Sequence, residues 1–96
     1  MDLTGENAKA FMQMAEKIKK SGALSEKFKE LIAISLSVKA QCDDCITHHL
    51  AELIKLKATD EEINEAMWVA VMMGGGPSLA YLMKAQNELK KLRKQK

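Results

Sequence analysis

The sequence predicts an all-α protein. Three observations carry this reading. Apolar residues recur three and four apart along almost the whole 96-residue chain. No segment shows the sustained apolar/polar alternation of a half-buried strand. The breaks in the helical pattern fall at Gly22 and at Gly74-Gly75-Gly76-Pro77. A bundle of about five helices in one domain, residues 1–96, accounts for the pattern. An apolar share of 47% with a single proline fits a packed domain rather than a linker.

The first helix is expected over about residues 5–21, between a Thr4 cap and a Gly22 stop, with Ala8, Phe11, Ala15 and Ile18 as its apolar stripe. Ser25 is placed to cap a second helix that carries Phe28, Leu31, Ile32 and Leu36 and runs to just before Cys42. A third starts near Asp43 and buries Ile46, Leu50, Leu53 and Ile54. Thr59-Asp60-Glu61-Glu62 has the form of a capping box, in which Thr59 and Glu62 side chains each accept the other's backbone N–H. It opens a fourth helix that reaches about Met73.

The glycine run then turns the chain into a last helix, with Pro77 in its first turn and Leu79, Leu82, Met83, Leu89 and Leu92 along it. Without an upstream strand or a Gly-Lys-Ser/Thr sequence, the three glycines read as a helix-to-helix turn rather than a phosphate cradle. From Ala66 to Met73 the fourth helix is apolar nearly all round. One layer of the chain's own helices covers only part of such a helix, so a symmetric homo-oligomer is expected.

A net charge of +2 excludes no partner by itself. Lys90, Lys91, Arg93, Lys94 and Lys96 sit where they complement the negative end of the last helix, and no aromatic residues interleave them, so no nucleic-acid partner is expected. Met1 to Gly5 has neither the basic nor the apolar region of a signal peptide, and the longest apolar run is too short to span a bilayer. A cytoplasmic protein without membrane contact is the expectation.

The chemistry gathers at Cys42-Asp43-Asp44-Cys45 and His49. Steps of three and four put Cys42, Cys45 and His49 along one helix face, with Asp43 and Asp44 pointing elsewhere. A cysteine at a helix N-terminus meets the positive end of the dipole and free N–H groups, both of which favour thiolate. One turn on, a second cysteine can close a disulfide, and His49 can move a proton to or from the inner sulfur. Nearby ionised Asp43 and Asp44 oppose thiolate formation. Two cysteines three apart fit a redox pair or metal ligands.

The same three side chains also fit zinc, with Glu30, His48 or Asp44 as a fourth ligand. No second Cys/His pair completes a standard structural site, and no metal or other cofactor is expected. His48, four residues after Asp44, reads as half of a surface helical pair. Glu30 lies one helix before the cysteines, either exposed or folded back against them. The seven methionines read as pliable core filling.

Glu30, eleven residues, then Cys42-x-x-Cys45-x-x-x-His49, then the apolar helix and Gly74-Gly75-Gly76-Pro77 together resemble the carboxymuconolactone decarboxylase family. Within it they are similar to the branch of alkyl hydroperoxide reductase protein D (AhpD), in a short single-motif form. The resemblance covers about residues 24–84. It implies an all-helical fold assembling into homotrimers or homohexamers, and a thiol-dependent peroxidase or disulfide reductase in antioxidant defence. The substrate would be a hydroperoxide and the electron donor a thiol or lipoyl-type group.

It also implies catalytic roles for Cys42, Cys45, His49 and Glu30, the last two as a proton relay that activates Cys45. The dipole argument instead favours Cys42 as the stronger nucleophile. The AhpD pattern has a histidine directly before the second cysteine; Asp44 stands there, so one relay member is absent. The family name brings a rival class, decarboxylation of a carboxymuconolactone in aromatic catabolism, but those decarboxylases do not use the cysteine pair. A non-enzymatic metal-binding module is the third reading.

Overall fold

A computed structural model describes residues 4–95. Five helices follow one another: α1 (Glu6–Lys19), α2 (Glu26–Lys39), α3 (Asp43–Lys55), α4 (Asp60–Gly74) and α5 (Gly76–Lys94). No strand occurs among the described residues. Helix α2 is the centre of the bundle, packed against α4, α3 and α5, while α4 and α3 each pack on α5. Lys96 lies outside the described residues.

The core takes one stripe from each of the four bundle helices. Helix α3 gives Ile46, Leu50, Leu53 and Ile54, as its spacing predicts. Helix α4 gives Ile63, Met67 and Ala70; α5 gives Leu82, Ala85 and Leu89. The predicted capping box is present, with Glu62 N–H to Thr59 Oγ1 at 3.1 Å and Thr59 N–H to Glu62 Oε1 at 2.9 Å. Ser25 caps α2 by accepting from Phe28 N–H at 3.0 Å.

Helix α2 corrects the sequence reading. It carries two apolar stripes, and the buried one is Ile34 and Val38 together with Glu30 and Ser37. Phe28, Ile32 and Leu36 face outward, and Leu31 is half-buried. The polar Glu30 is drawn inside by a partner on α3, which turns the more continuous apolar stripe out. Leu79 and Met83 on α5 are likewise exposed, because Ser78 and Leu82 one residue earlier take the inward positions.

Helix α1 differs at both ends from the expected 5–21. Gly5, not Thr4, is the N-cap, its extended backbone presenting its carbonyl to Lys9 N–H at 3.0 Å. The helix stops at Lys19 rather than at Gly22 because Lys29 Nζ, reaching over from α2, takes the carbonyls of Ile18 and Lys20 at 2.8 Å each. No residue of α1 is buried, and Phe11 and Ile18 of the predicted stripe are exposed.

Candidate functional site

The turn between α2 and α3 fixes the cysteines. Helix α2 ends in a Schellman motif: Gln41 adopts φ +58°, its N–H bonds to the Val38 carbonyl at 3.1 Å, and Cys42 N–H bonds to the Ser37 carbonyl at 3.2 Å. Cys42 is therefore both the close of one helix and the N-cap of the next. Its Sγ accepts Cys45 N–H at 3.2 Å, and its carbonyl accepts Ile46 N–H at 3.0 Å. A sulfur thus holds the position that an oxygen-bearing cap usually fills.

Cys42 and Cys45 are joined as a disulfide with their Cα atoms 5.3 Å apart. Both are half-buried, so the bond sits at the surface end of the bundle rather than in the core. One turn further along α3, His49 Nδ1 lies 2.6 Å from Glu30 Oε1. The Glu30 side chain is 6% exposed and that of His49 26%. With an ionised carboxylate as its partner, Nδ1 would be the donor and Nε2 would be left for proton exchange.

Glu30 thus folds back against the cysteine helix instead of facing solvent. Of the four sequence-predicted site residues, Cys42 and Cys45 are bonded to each other at the α2–α3 turn, and Glu30 and His49 are paired across the two helices, with His49 one helical turn after Cys45. His48 does not pair with Asp44; it is exposed and its ring stands edge-on to that of His49, with centroids 4.9 Å apart. Asp43 reaches toward Lys84 at 3.8 Å, and Lys84 also lies over the Tyr81 ring, 4.5 Å from its centroid. That pairing moderates the acidic charge beside the cysteines.

Two contributors were not singled out from the sequence. Ser37, buried on the inward stripe of α2 two turns after Glu30, presents the carbonyl that receives Cys42 N–H, and its own hydroxyl donates to the Ala33 carbonyl at 2.7 Å. Its signal was the seven-residue spacing from Glu30. Gln41 gave none, since only the turn geometry marks it. Among the described residues, no group of three or more His, Cys, Asp and Glu is placed to hold a metal ion. The two sulfurs are bonded to each other and His49 Nδ1 is paired with Glu30.

The model of the carboxymuconolactone decarboxylase family matches residues 5–88. The chain belongs to that family. Two bacterial relatives share 37% identity over 76 residues: an uncharacterized protein of Cupriavidus necator, and uncharacterized protein 4 of the cox locus of Paracoccus denitrificans. The match spans 79% of this chain, and 67% and 68% of theirs.

Family members of known structure have the same fold. One from Legionella pneumophila is 45% identical with a TM-score of 0.88, over 91% of this chain and 78% of that one. Another, from Thermotoga maritima, is 35% identical with a TM-score of 0.88, over 95% and 94% of the two chains. The Thermotoga protein is described with a possible part in the antioxidative response. No helix among the described residues is long and apolar enough to cross a membrane.

Proposed function

We infer that this family member is an AhpD-like thiol peroxidase and disulfide reductase that turns over through Cys42 and Cys45. The observation that carries the reading is the Cys42–Cys45 disulfide beside the Glu30–His49 pair. The antioxidative description of the Thermotoga relative agrees with it.

In the reduced enzyme one sulfur, as thiolate, attacks the outer oxygen of a hydroperoxide. The O–O bond breaks, the sulfur becomes a sulfenic acid, and the alkoxide leaves as the alcohol after taking a proton. The second thiol then displaces water from the sulfenic acid and closes the disulfide. His49 accepts the proton of the attacking thiol and returns it to the leaving oxygen, with Glu30 holding the ring and balancing its charge. Two thiols, or one lipoyl-type dithiol, restore the pair by exchange, giving up two electrons and two protons and leaving as their own disulfide.

Mass analysis with thiol blocking tests the cycle. The reduced protein takes two labels, the peroxide-treated protein takes none, and a dithiol restores both. Steady-state peroxide consumption should be lost in Cys42→Ser and in Cys45→Ser. Unchanged turnover in both serine variants discards the peroxidase reading.

A further inference from the structure

Helix α3 carries an electrostatic conflict at its start. Asp43 and Asp44 occupy its first turn, where carboxylates favour a helix N-terminus. The same two charges stand next to Cys42 in the chain, and a nearby negative charge disfavours a thiolate. A reactive thiol at this turn therefore needs a cation to offset them.

Helix α5 supplies it. Lys84 Nζ lies 3.8 Å from Asp43 Oδ1 and 4.5 Å from the centroid of the Tyr81 ring, one turn back on its own helix. We propose that Lys84 is a positioning residue of the redox site, which keeps the Cys42 thiol reactive near neutral pH by offsetting Asp43. The proposal rests on the reading that Cys42 and Cys45 turn over as thiols.

Three observations select Lys84. Its place is fixed, because the Tyr81 ring under it packs against the core. One turn further on, Thr47 Oγ1 donates to Glu88 Oε2 at 3.3 Å, so α3 and α5 run side by side in the same direction.

No second cation takes the same position. Among the described residues, Lys84 is the one lysine or arginine within ion-pair distance of Asp43 or Asp44. Lys39, three residues before Cys42, runs its stem along Gly74 at the end of α4. Lys91 lines the same groove between α3 and α5, but about 10 Å further along α5 from Lys84. On the α2 side, Glu30 is paired with His49, and His48 is exposed.

The pair also has little to do for the fold. Both side chains are largely exposed and 3.8 Å apart, a geometry that contributes little stability. Substitution at Lys84 therefore reads out charge at the cysteine turn rather than folding.

Alkylation by the neutral reagent iodoacetamide tests this in the full chain carrying Cys45→Ser, in which Cys42 is the one remaining thiol. The rate follows the thiolate fraction. No peroxide is involved, so a failure here is distinct from a failure of the peroxidase reading, which shows in turnover alone. Lys84→Gln should slow alkylation at neutral pH by about twofold to fivefold and move the rate profile to higher pH, the effect of one unit charge several ångströms away in a water-like medium.

Lys84→Arg should keep the parent rate. Lys84→Met keeps an apolar stem over Tyr81 without the charge, and should react as slowly as Lys84→Gln. Asp43→Asn should react faster than the parent, and Lys84→Gln combined with Asp43→Asn should return to near the parent rate, because the net charge of the turn is restored. Salt at about 1 M should shrink all of these differences. An unchanged rate in Lys84→Gln, a parent-like rate in Lys84→Met, or a double variant as slow as Lys84→Gln alone overturns the proposal.

Discussion

His49 Nδ1 lies 2.6 Å from the Oε1 of Glu30, two residues nineteen positions apart that belong to different helices. The carboxylate is almost completely buried and the imidazole only partly, so the pair connects the interior of α2 to the cysteine end of α3. A buried carboxylate is expensive unless it is paired, and here the partner is also the group one turn from Cys45. The same contact therefore satisfies a buried carboxylate and, under the proposed function, serves the chemistry as well.

The two functions separate in two variants. Glu30→Gln keeps a neutral hydrogen-bond partner for His49 and should cost about 1 kcal/mol of stability. His49→Ala strands the buried carboxylate and should cost about 3 kcal/mol, near the lower end for removing one member of a buried pair. Peroxide turnover should fall in both by on the order of 10²-fold, the loss expected of a positioned general acid or base. Urea titrations and steady-state rates on the same preparations check this. Turnover that tracks stability rather than falling equally would leave the pair a purely structural role.

The three consecutive glycines should respond differently to alanine. At Gly74 an added Cβ meets the buried Ser78 hydroxyl and Lys39 Cδ, the latter at 2.8 Å, so Gly74→Ala should destabilise by about 1–3 kcal/mol. Gly75 adopts φ +72° and ψ −147°, a region that essentially only glycine occupies, and Gly75→Ala should cost about 1–3 kcal/mol through backbone strain alone. At Gly76 nothing lies within 4 Å and the backbone is helical, so alanine should be neutral or stabilise by up to about 1 kcal/mol. Adding Ser78→Ala should recover part of the Gly74→Ala loss and none of the Gly75→Ala loss. Thermal melts of the four backgrounds distinguish the two causes.

Gln41 bears the strain of the turn that places Cys42. A non-glycine residue in the left-handed region costs about 1–2 kcal/mol, and Gln41 sits there at φ +58°. Glycine removes that cost but adds unfolded-chain entropy of about 0.4–1 kcal/mol, so Gln41→Gly should stabilise by about 0.5–1 kcal/mol. Gln41→Val should destabilise, since a β-branched residue is a genuine outlier at positive φ. Denaturant midpoints that move in the same direction for both variants would contradict this account.

The cysteine helix was legible because its inward residues and its chemistry obey one periodicity. Ile46, Leu50, Leu53 and Ile54 could be read as core, and Cys42, Cys45 and His49 as one face, without knowing any neighbour. The capping box at Thr59 was legible for the same reason: its partners are three residues apart. Helix α2 was not. Its outward Phe28, Ile32 and Leu36 make a better local stripe than Glu30, Ile34, Ser37 and Val38, and only the contact with His49 turns Glu30 inward. The end of α1 failed similarly, since its cap is a lysine from another helix. Local spacing carries no record of a partner that distance.

Acid should weaken the fold through carboxylates that the native state keeps ionised. Glu62 is held below its ordinary value, first by the Thr59 N–H it accepts in the capping box and then by Lys27, 3.0 Å away on α2. Burial pushes Glu52 upward, but the hydrogen bonds from Lys55 and Lys19 outweigh it, and its value too is lowered. A carboxylate lowered on folding contributes stability that is fully present above its unfolded value of about 4.3 and is lost as pH falls through the folded value. Lys19 is raised, first by its hydrogen bond to Glu52, so its contribution is present below the ordinary lysine range and is lost at the alkaline end, as pH rises through its folded value. Between about pH 5 and 9 stability should therefore be nearly flat with respect to these three groups, and it should fall below pH 4. Glu62→Gln removes one titrating group from the acid limb, lowering neutral-pH stability while shrinking the drop between pH 6 and 3, and Glu52→Gln should do the same. Thermal midpoints measured across that range for the wild type and both variants check the sign. Parallel curves would mean that other carboxylates drive the acid transition.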